Sequence, residues 1–131
     1  MRGKSLFDFP IHLGLGGRAV QEPQFTGPEW YEQYGDRHTG DLDEGRLVSL
    51  FRFDEPWTSW EMHPAGDEVV CCLEGEMTLH QELPDRSTCS WQLGPAEYAV
   101  NPRGAWHTAD AAGPVVALFV TVGKDTTHRP R

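Results

Sequence analysis

The chain has 131 residues, with 20 acidic side chains against 11 basic ones and a formal net charge of -9. A chain of this length closes one hydrophobic core without staples, and its charge repels phosphate backbones and anionic membranes, so neither nucleic acid nor membrane is an expected partner. Apolar residues at 38% exclude a disordered chain, while 14 glycines and 10 prolines exclude a helical bundle.

Residues 1–45 carry Gly, Pro and charge with little periodicity and read as an irregular N-terminal arm. Within it, GPEWYEQYGD predicts a short helix, with Pro28 suited to the first turn and Gly35 to the stop. Phe25, Trp30 and Tyr34 give the arm an apolar side that packs on its own barrel or on a partner subunit. From Arg46 to Gly123, strand-like runs recur: RLVSLFRF, TSWEMH, EVVCCLEG, EMTLHQEL, STCSWQLG, EYAVNP, WHTADA and PVVALFVTVG. Gly or Pro supplies turn chemistry in most of the breaks between them, which is the pattern of an antiparallel sandwich or barrel. Residues 124–131 read as a charged C-terminal tail. The apolar run Val115–Val120 is far shorter than the roughly 20 residues that cross a bilayer. The opening residues lack the apolar core of a secretory signal, so a cytoplasmic location is expected. Three cysteines, two of them adjacent, match neither a zinc ribbon nor a disulfide framework, and reduced thiols are expected.

Chemistry concentrates in two segments. In SWEMHP, Glu61 and His63 are two residues apart, so on a strand both leave the same face. Pro64 to Asp67 turn the chain and Glu68 opens the next strand, bringing a second carboxylate near His63. In NPRGAWHT, Pro102 and Gly104 make a turn that delivers His107 to the start of another strand. His12 and His38 in the arm and His128 in the tail are expected at the surface, and His80 has only a weak claim on the cavity.

The two segments resemble the paired motifs of the cupin superfamily, G-x5-H-x-H-x(3,4)-E-x6-G and G-x5-P-x-G-x2-H-x3-N. His63, Glu68 and Gly75 match the first; Pro102, Gly104 and His107 match the second. Glu61 stands in place of the first histidine, Glu55 and Ala96 replace the opening glycines, and Ala111 replaces the asparagine. The resemblance implies a small single-domain cupin of the conserved-barrel type. Its fold would be all-β, an antiparallel double-stranded β-helix or jelly roll over residues 46–123, forming a homodimer.

It further implies one divalent metal ion (Fe, Mn, Zn or Ni) held by His63, Glu68 and His107, with Glu61 as a fourth ligand. If Glu61 stands off, two histidines and one carboxylate remain, the arrangement of many non-haem iron oxygenases. Burial would then raise the pKa of Glu61 toward that of a catalytic acid or base. Phe51, Phe53, Cys72 and Tyr98 are the expected substrate-pocket residues. The expected function is metal-dependent chemistry on a small organic molecule, with dioxygenase-type oxidoreduction ahead of isomerase or lyase chemistry. A non-catalytic ligand-binding or sensor barrel is the alternative.

Overall fold

Each of the eight strand-like runs becomes a strand in the computed structural model, which describes residues 1–131. They are β3 (Arg46–Phe53), β4 (Ser59–Met62), β5 (Glu68–Glu74), β6 (Met77–Glu82), β7 (Thr88–Leu93), β8 (Tyr98–Asn101), β9 (Trp106–Ala111) and β10 (Val115–Thr121). Three further strands come from segments without strand-like alternation: β1 (Ile11–Leu13), β2 (Ala19–Gln21) and β11 (Thr127–Pro130). All pairings are antiparallel. One sheet has the order β2-β1-β3-β10-β5-β8 and the other β11-β4-β9-β6-β7. Together they form a two-sheet jelly-roll barrel, and no helix is long and apolar enough to cross a membrane.

Alternation along the strands decides what faces inward. Cys72, Val70 and Glu68 of β5 point inside, as do Met77, Leu79 and Gln81 of β6 and Val115, Ala117 and Phe119 of β10. The interior is therefore graded along its axis. At the end closed by the β5–β6 turn, Cys72, Met77, Leu93 and Val115 belong to one apolar core cluster. At the opposite end β5, β6 and β9 place Glu68, Gln81 and His107 inside, all buried.

The arm lies on its own barrel. β1 pairs with β3, and α1 (Glu29–Arg37) follows Pro28 as expected but runs two residues past Gly35. His12 and His38 are not surface residues: His12 is 1% exposed, and its ring lies between the Tyr34 hydroxyl at 2.6 Å and the Asp41 carboxylate at 2.6 Å. Asp41 also accepts from Arg18 and from the backbone N–H of Leu15. His38 stacks on His12 and reaches Glu22 at 2.8 Å. The residues read as a charged C-terminal tail also carry a strand, since β11 pairs with β4 along its whole length.

The outer face of the larger sheet departs from polar-out alternation. Two rows of cross-strand neighbours span it: Ile11, Val48, Val120, Val69 and Val100 form one, and Leu50, Leu118, Cys71 and Tyr98 the other. This is why β10 reads as a continuous apolar run, the pattern of a strand covered on both faces.

Two turn positions explain parts of the motif. Gly75 has φ +80°, and a Cβ there would fall inside van der Waals contact of the Pro114 carbonyl oxygen. Ala96, which replaces a motif glycine, also adopts a left-handed conformation with φ 68°, a conformation that costs roughly 1–2 kcal/mol for a residue with a Cβ. Ala96→Gly should therefore raise stability by about 0.5–1 kcal/mol after the entropy cost of glycine. Gly75→Ala should lower it by about 1–3 kcal/mol. Thermal unfolding of the two variants checks both signs.

The arm carries its own pH dependence. The hydrogen bond from His12, and then those from Leu15 and Arg18, lower the Asp41 pKa from 3.8 to about 2. A group depressed on folding stabilises the folded state above its unfolded pKa, and that contribution is lost as pH falls through the folded value. Loss of arm packing, followed by near-ultraviolet circular dichroism, is expected between pH 3.8 and about 2. The step should be absent from Asp41→Asn, whose arm is already weakened at neutral pH.

Candidate metal centre

The four residues singled out from the motifs meet at the polar end of the barrel. The β4–β9 register sets Glu61 directly opposite His107. His63 follows β4 on the same inward parity, and Glu68 opens β5 after the intervening turn. Glu68 Oε2 lies 3.1 Å from His63 Nε2, and Glu68 Oε1 lies 3.2 Å from His107 Nε2. Glu61 Oε2 is 3.8 Å from the first nitrogen and 3.7 Å from the second. One ligand atom from each of Glu61, His63 and His107 lies within 4.8 Å of the other two.

These approaches are close but off axis for hydrogen bonding. The Nε2 atoms of both His63 and His107, and Nδ1 of His107, are buried without a hydrogen-bond partner. Burying a polar atom unpaired costs about 1–3 kcal/mol. The arm cluster of His12, His38 and Asp41 also has metal-ligand composition, yet both ring nitrogens of His12 and the carboxylate of Asp41 are engaged by neighbouring side chains. The arm cluster is thus a satisfied clamp, whereas the barrel cluster holds unpaired nitrogen beside carboxylate oxygen.

Groups behind the cluster orient it. The Thr126 hydroxyl donates to the Gly123 carbonyl, so its oxygen accepts from His63 Nδ1–H at 2.8 Å and the ring is held with Nε2 facing the carboxylates. Glu68 accepts from Asn101 Nδ2 at 2.9 Å and from the Thr121 hydroxyl at 2.5 Å. Asn101 is fixed in turn by Gln81, whose carbonyl oxygen accepts from Trp91 at 3.0 Å. Asn101, Gln81, Thr121 and Thr126 were not foreseen, because isolated polar residues in strands carry no signal until register places them together.

Protonation follows from the same contacts. Burial works against the charge on Glu68, but His63, His107 and the Thr121 hydroxyl outweigh it and hold the carboxyl below its ordinary pKa. Glu61 behaves likewise: desolvation is the largest influence, yet His107 and His63 prevail and the pKa is lowered. This counters the expectation that burial would raise Glu61 toward a neutral working range. Burial also opposes a charge on His63, but Glu68 and Glu61 overcome it and raise the pKa.

The expected pocket residues separate. Phe51 and Phe53 lie on the inward parity of β3, Phe53 against Trp57, whose ring neighbours that of His107. Cys72 also points inward but belongs to the apolar core cluster at the closed end, roughly 13 Å from Glu68 at the strand rise per residue. Tyr98 is corrected outright. Its register opposite Cys71 turns it to the outer face, where it is 67% exposed. His80 also faces outward, between Ser90 and Asp110. His128 is at the surface as expected, its side chain 56% exposed, and lies 3.3 Å from Glu61 Oε1.

No protein-family model matches the sequence, and no curated protein matches it. Solved structures do match its fold. One is hydroquinone 1,2-dioxygenase from Sphingomonas sp. TTNP3 with 4-hydroxybenzoate bound, at TM-score 0.51 and 18% identity over 56% of this chain and 57% of that one. Another is oxalate oxidase in complex with the substrate analogue glycolate, at TM-score 0.54 and 15% identity over 63% of this chain and 45% of that one. The fold is that of a cupin. The chain covers little more than half of the first of these proteins and less than half of the second, and the shared fold does not select an activity. Peruvianin-I, a cysteine peptidase from Thevetia peruviana latex, also matches this fold, at TM-score 0.55 and 14% identity over 65% of this chain and 56% of that one.

The donor set fits a divalent ion. Two imidazoles and two carboxylates suit manganese, iron or zinc. A cation would also offset the burial of two carboxylates, which otherwise costs several kcal/mol per ion.

Proposed function

We propose that this cupin is a metal-dependent enzyme acting on a small, largely apolar organic molecule, with dioxygenase-type oxidation as its reaction class. The reading rests on one observation: His63 Nε2 and His107 Nε2 are buried without hydrogen bonds beside Glu61 and Glu68. His63, Glu68 and His107 would hold the ion, with Glu61 as a fourth ligand. When bound, such an ion supplies Lewis acidity and, if iron, a means of activating dioxygen.

The protein's own contribution is to bind and orient. A cavity of about 300 Å³ lies where the arm meets β3, lined by Phe25, Trp30 and Tyr31 on one side and Leu47, Ser49 and Phe51 on the other. Aromatic contacts lead from it toward the metal centre: Phe51 meets Phe119, Phe119 meets Trp57, and Trp57 meets His107. Burial, and then the Glu61 charge, push the Tyr31 hydroxyl up to about 12, so at neutral pH it remains a hydrogen-bond donor. Apolar walls with the Tyr31 and Ser49 hydroxyls suit a single-ring aromatic carrying one polar group, in keeping with the 4-hydroxybenzoate held by the dioxygenase of like fold.

The test is anaerobic loading with Fe²⁺ followed by oxygen uptake with single-ring phenols and aromatic acids. One ion per chain, uptake dependent on substrate, and loss of both in His63→Ala and His107→Ala are expected. A wild type that takes up no iron, manganese, nickel or zinc overturns the enzyme reading in favour of a ligand-binding barrel.

We also propose a homodimer, because the two apolar rows run across the outer face of the larger sheet without a charged residue, ending in the exposed Tyr98 and Val100. Light scattering at micromolar concentration should give twice the chain mass for wild type and the single mass for Leu118→Glu, with unchanged far-ultraviolet circular dichroism.

A further inference from the structure

Two of the metal-facing side chains are anchored from behind by hydrogen bonds. His63 is held by Thr126, and Glu68 by Asn101 and Thr121. A third, Glu61, is the most exposed of the cluster, its side chain 31% accessible, and it occupies the position where the cupin motif has a histidine. A carboxylate there needs its own anchor, since free rotation would take its oxygens away from the ion.

The C-terminal strand supplies one. Pairing of β11 with β4 sets His128 directly opposite Glu61, with Nε2 3.3 Å from Oε1. The other carboxylate oxygen, Oε2, is the one that faces His63 and His107. The two oxygens are thus divided between the C-terminal strand and the metal centre. Thr126, just before β11, anchors His63, so one short segment backs two of the four candidate ligands.

We propose that His128 is a positioning residue of the metal centre, donating from Nε2 to Glu61 Oε1 and thereby aiming Oε2 at the ion. This rests on the metal reading above. The role of His128 is to make a carboxylate serve where the motif has an imidazole. Partners of this kind behind a ligand typically change metal affinity 10–100-fold.

The experiment is competition for Co²⁺ against a chromophoric chelator, with the cobalt absorption spectrum as a second readout. It uses the full-length wild type, His128→Ala, His128→Gln, Glu61→His and the double variant Glu61→His with His128→Ala. His63→Ala serves as the control for the metal site itself. His128→Ala should bind Co²⁺ at least about 10-fold more weakly with an altered spectrum and an unchanged melting temperature. His128→Gln should recover most of the loss, because its amide still donates to the carboxylate. In the Glu61→His background, removing His128 should cost nothing, since the carboxylate it holds is gone.

Unchanged cobalt affinity and spectrum in His128→Ala, alongside loss of the ion in His63→Ala, would overturn the role of His128 and leave the metal reading standing. An equal loss in the Glu61→His background would also overturn it, because His128 would then act through the sheet. No cobalt uptake by the wild type would overturn both.

Discussion

Glu68 is the group on which the site depends. It is 3% exposed at the inner end of a barrel strand, where an ionised carboxylate survives only if its oxygens are engaged. Asn101 and Thr121 engage one oxygen each, and the rings of His63 and His107 approach them from the other side. That arrangement fixes which way four neighbouring strands present their polar residues. It also explains why Gln81 and Asn101, on two different sheets, are tied to each other across the barrel.

The barrel reconciles two incompatible interiors by separating them along its axis. Alternation places one inward residue every second position, so a single strand can give a thiol to the apolar end and a carboxylate to the polar end. β5 does this with Cys72 and Glu68. The apolar end carries packing and can be rigid. The polar end is built from groups whose charges attract but whose hydrogen bonds are incomplete, an arrangement that favours a bound cation over further protein contacts.

The segments outside the motifs close the site. The arm brings Trp30 and Tyr31 against residues of β3 and is locked by the His12, Tyr34 and Asp41 contacts. The C-terminal strand brings Thr126 and His128 behind His63 and Glu61. The strands of both regions are illegible as sequence, because β1, β2 and β11 are only three or four residues long and show no alternation. Short strands of this kind form because an existing edge offers hydrogen bonds, which is information held by the partner strand.

What the sequence alone determined was the pattern that is local. Strand-like runs and the turn residues between them located all eight strands of the barrel. The spacing of Glu61, His63 and Glu68 around one turn named three members of the cluster, because neighbours along a strand or across a tight turn are necessarily neighbours in space, and His107, after Pro102 and Gly104, joined them through the resemblance to the cupin motifs. Tertiary structure alone decided the facts that depend on register and depth. It turned Tyr98 outward, placed Cys72 in the core, folded a buried His12 and a half-buried His38 into a clamp, and carried His128 to Glu61. It also set the protonation of Glu61, since burial was foreseeable from the motif but the two imidazoles that outweigh it are brought there by different strands. Local spacing fixes which side chains share a face, whereas pairing between distant strands fixes what each of them meets.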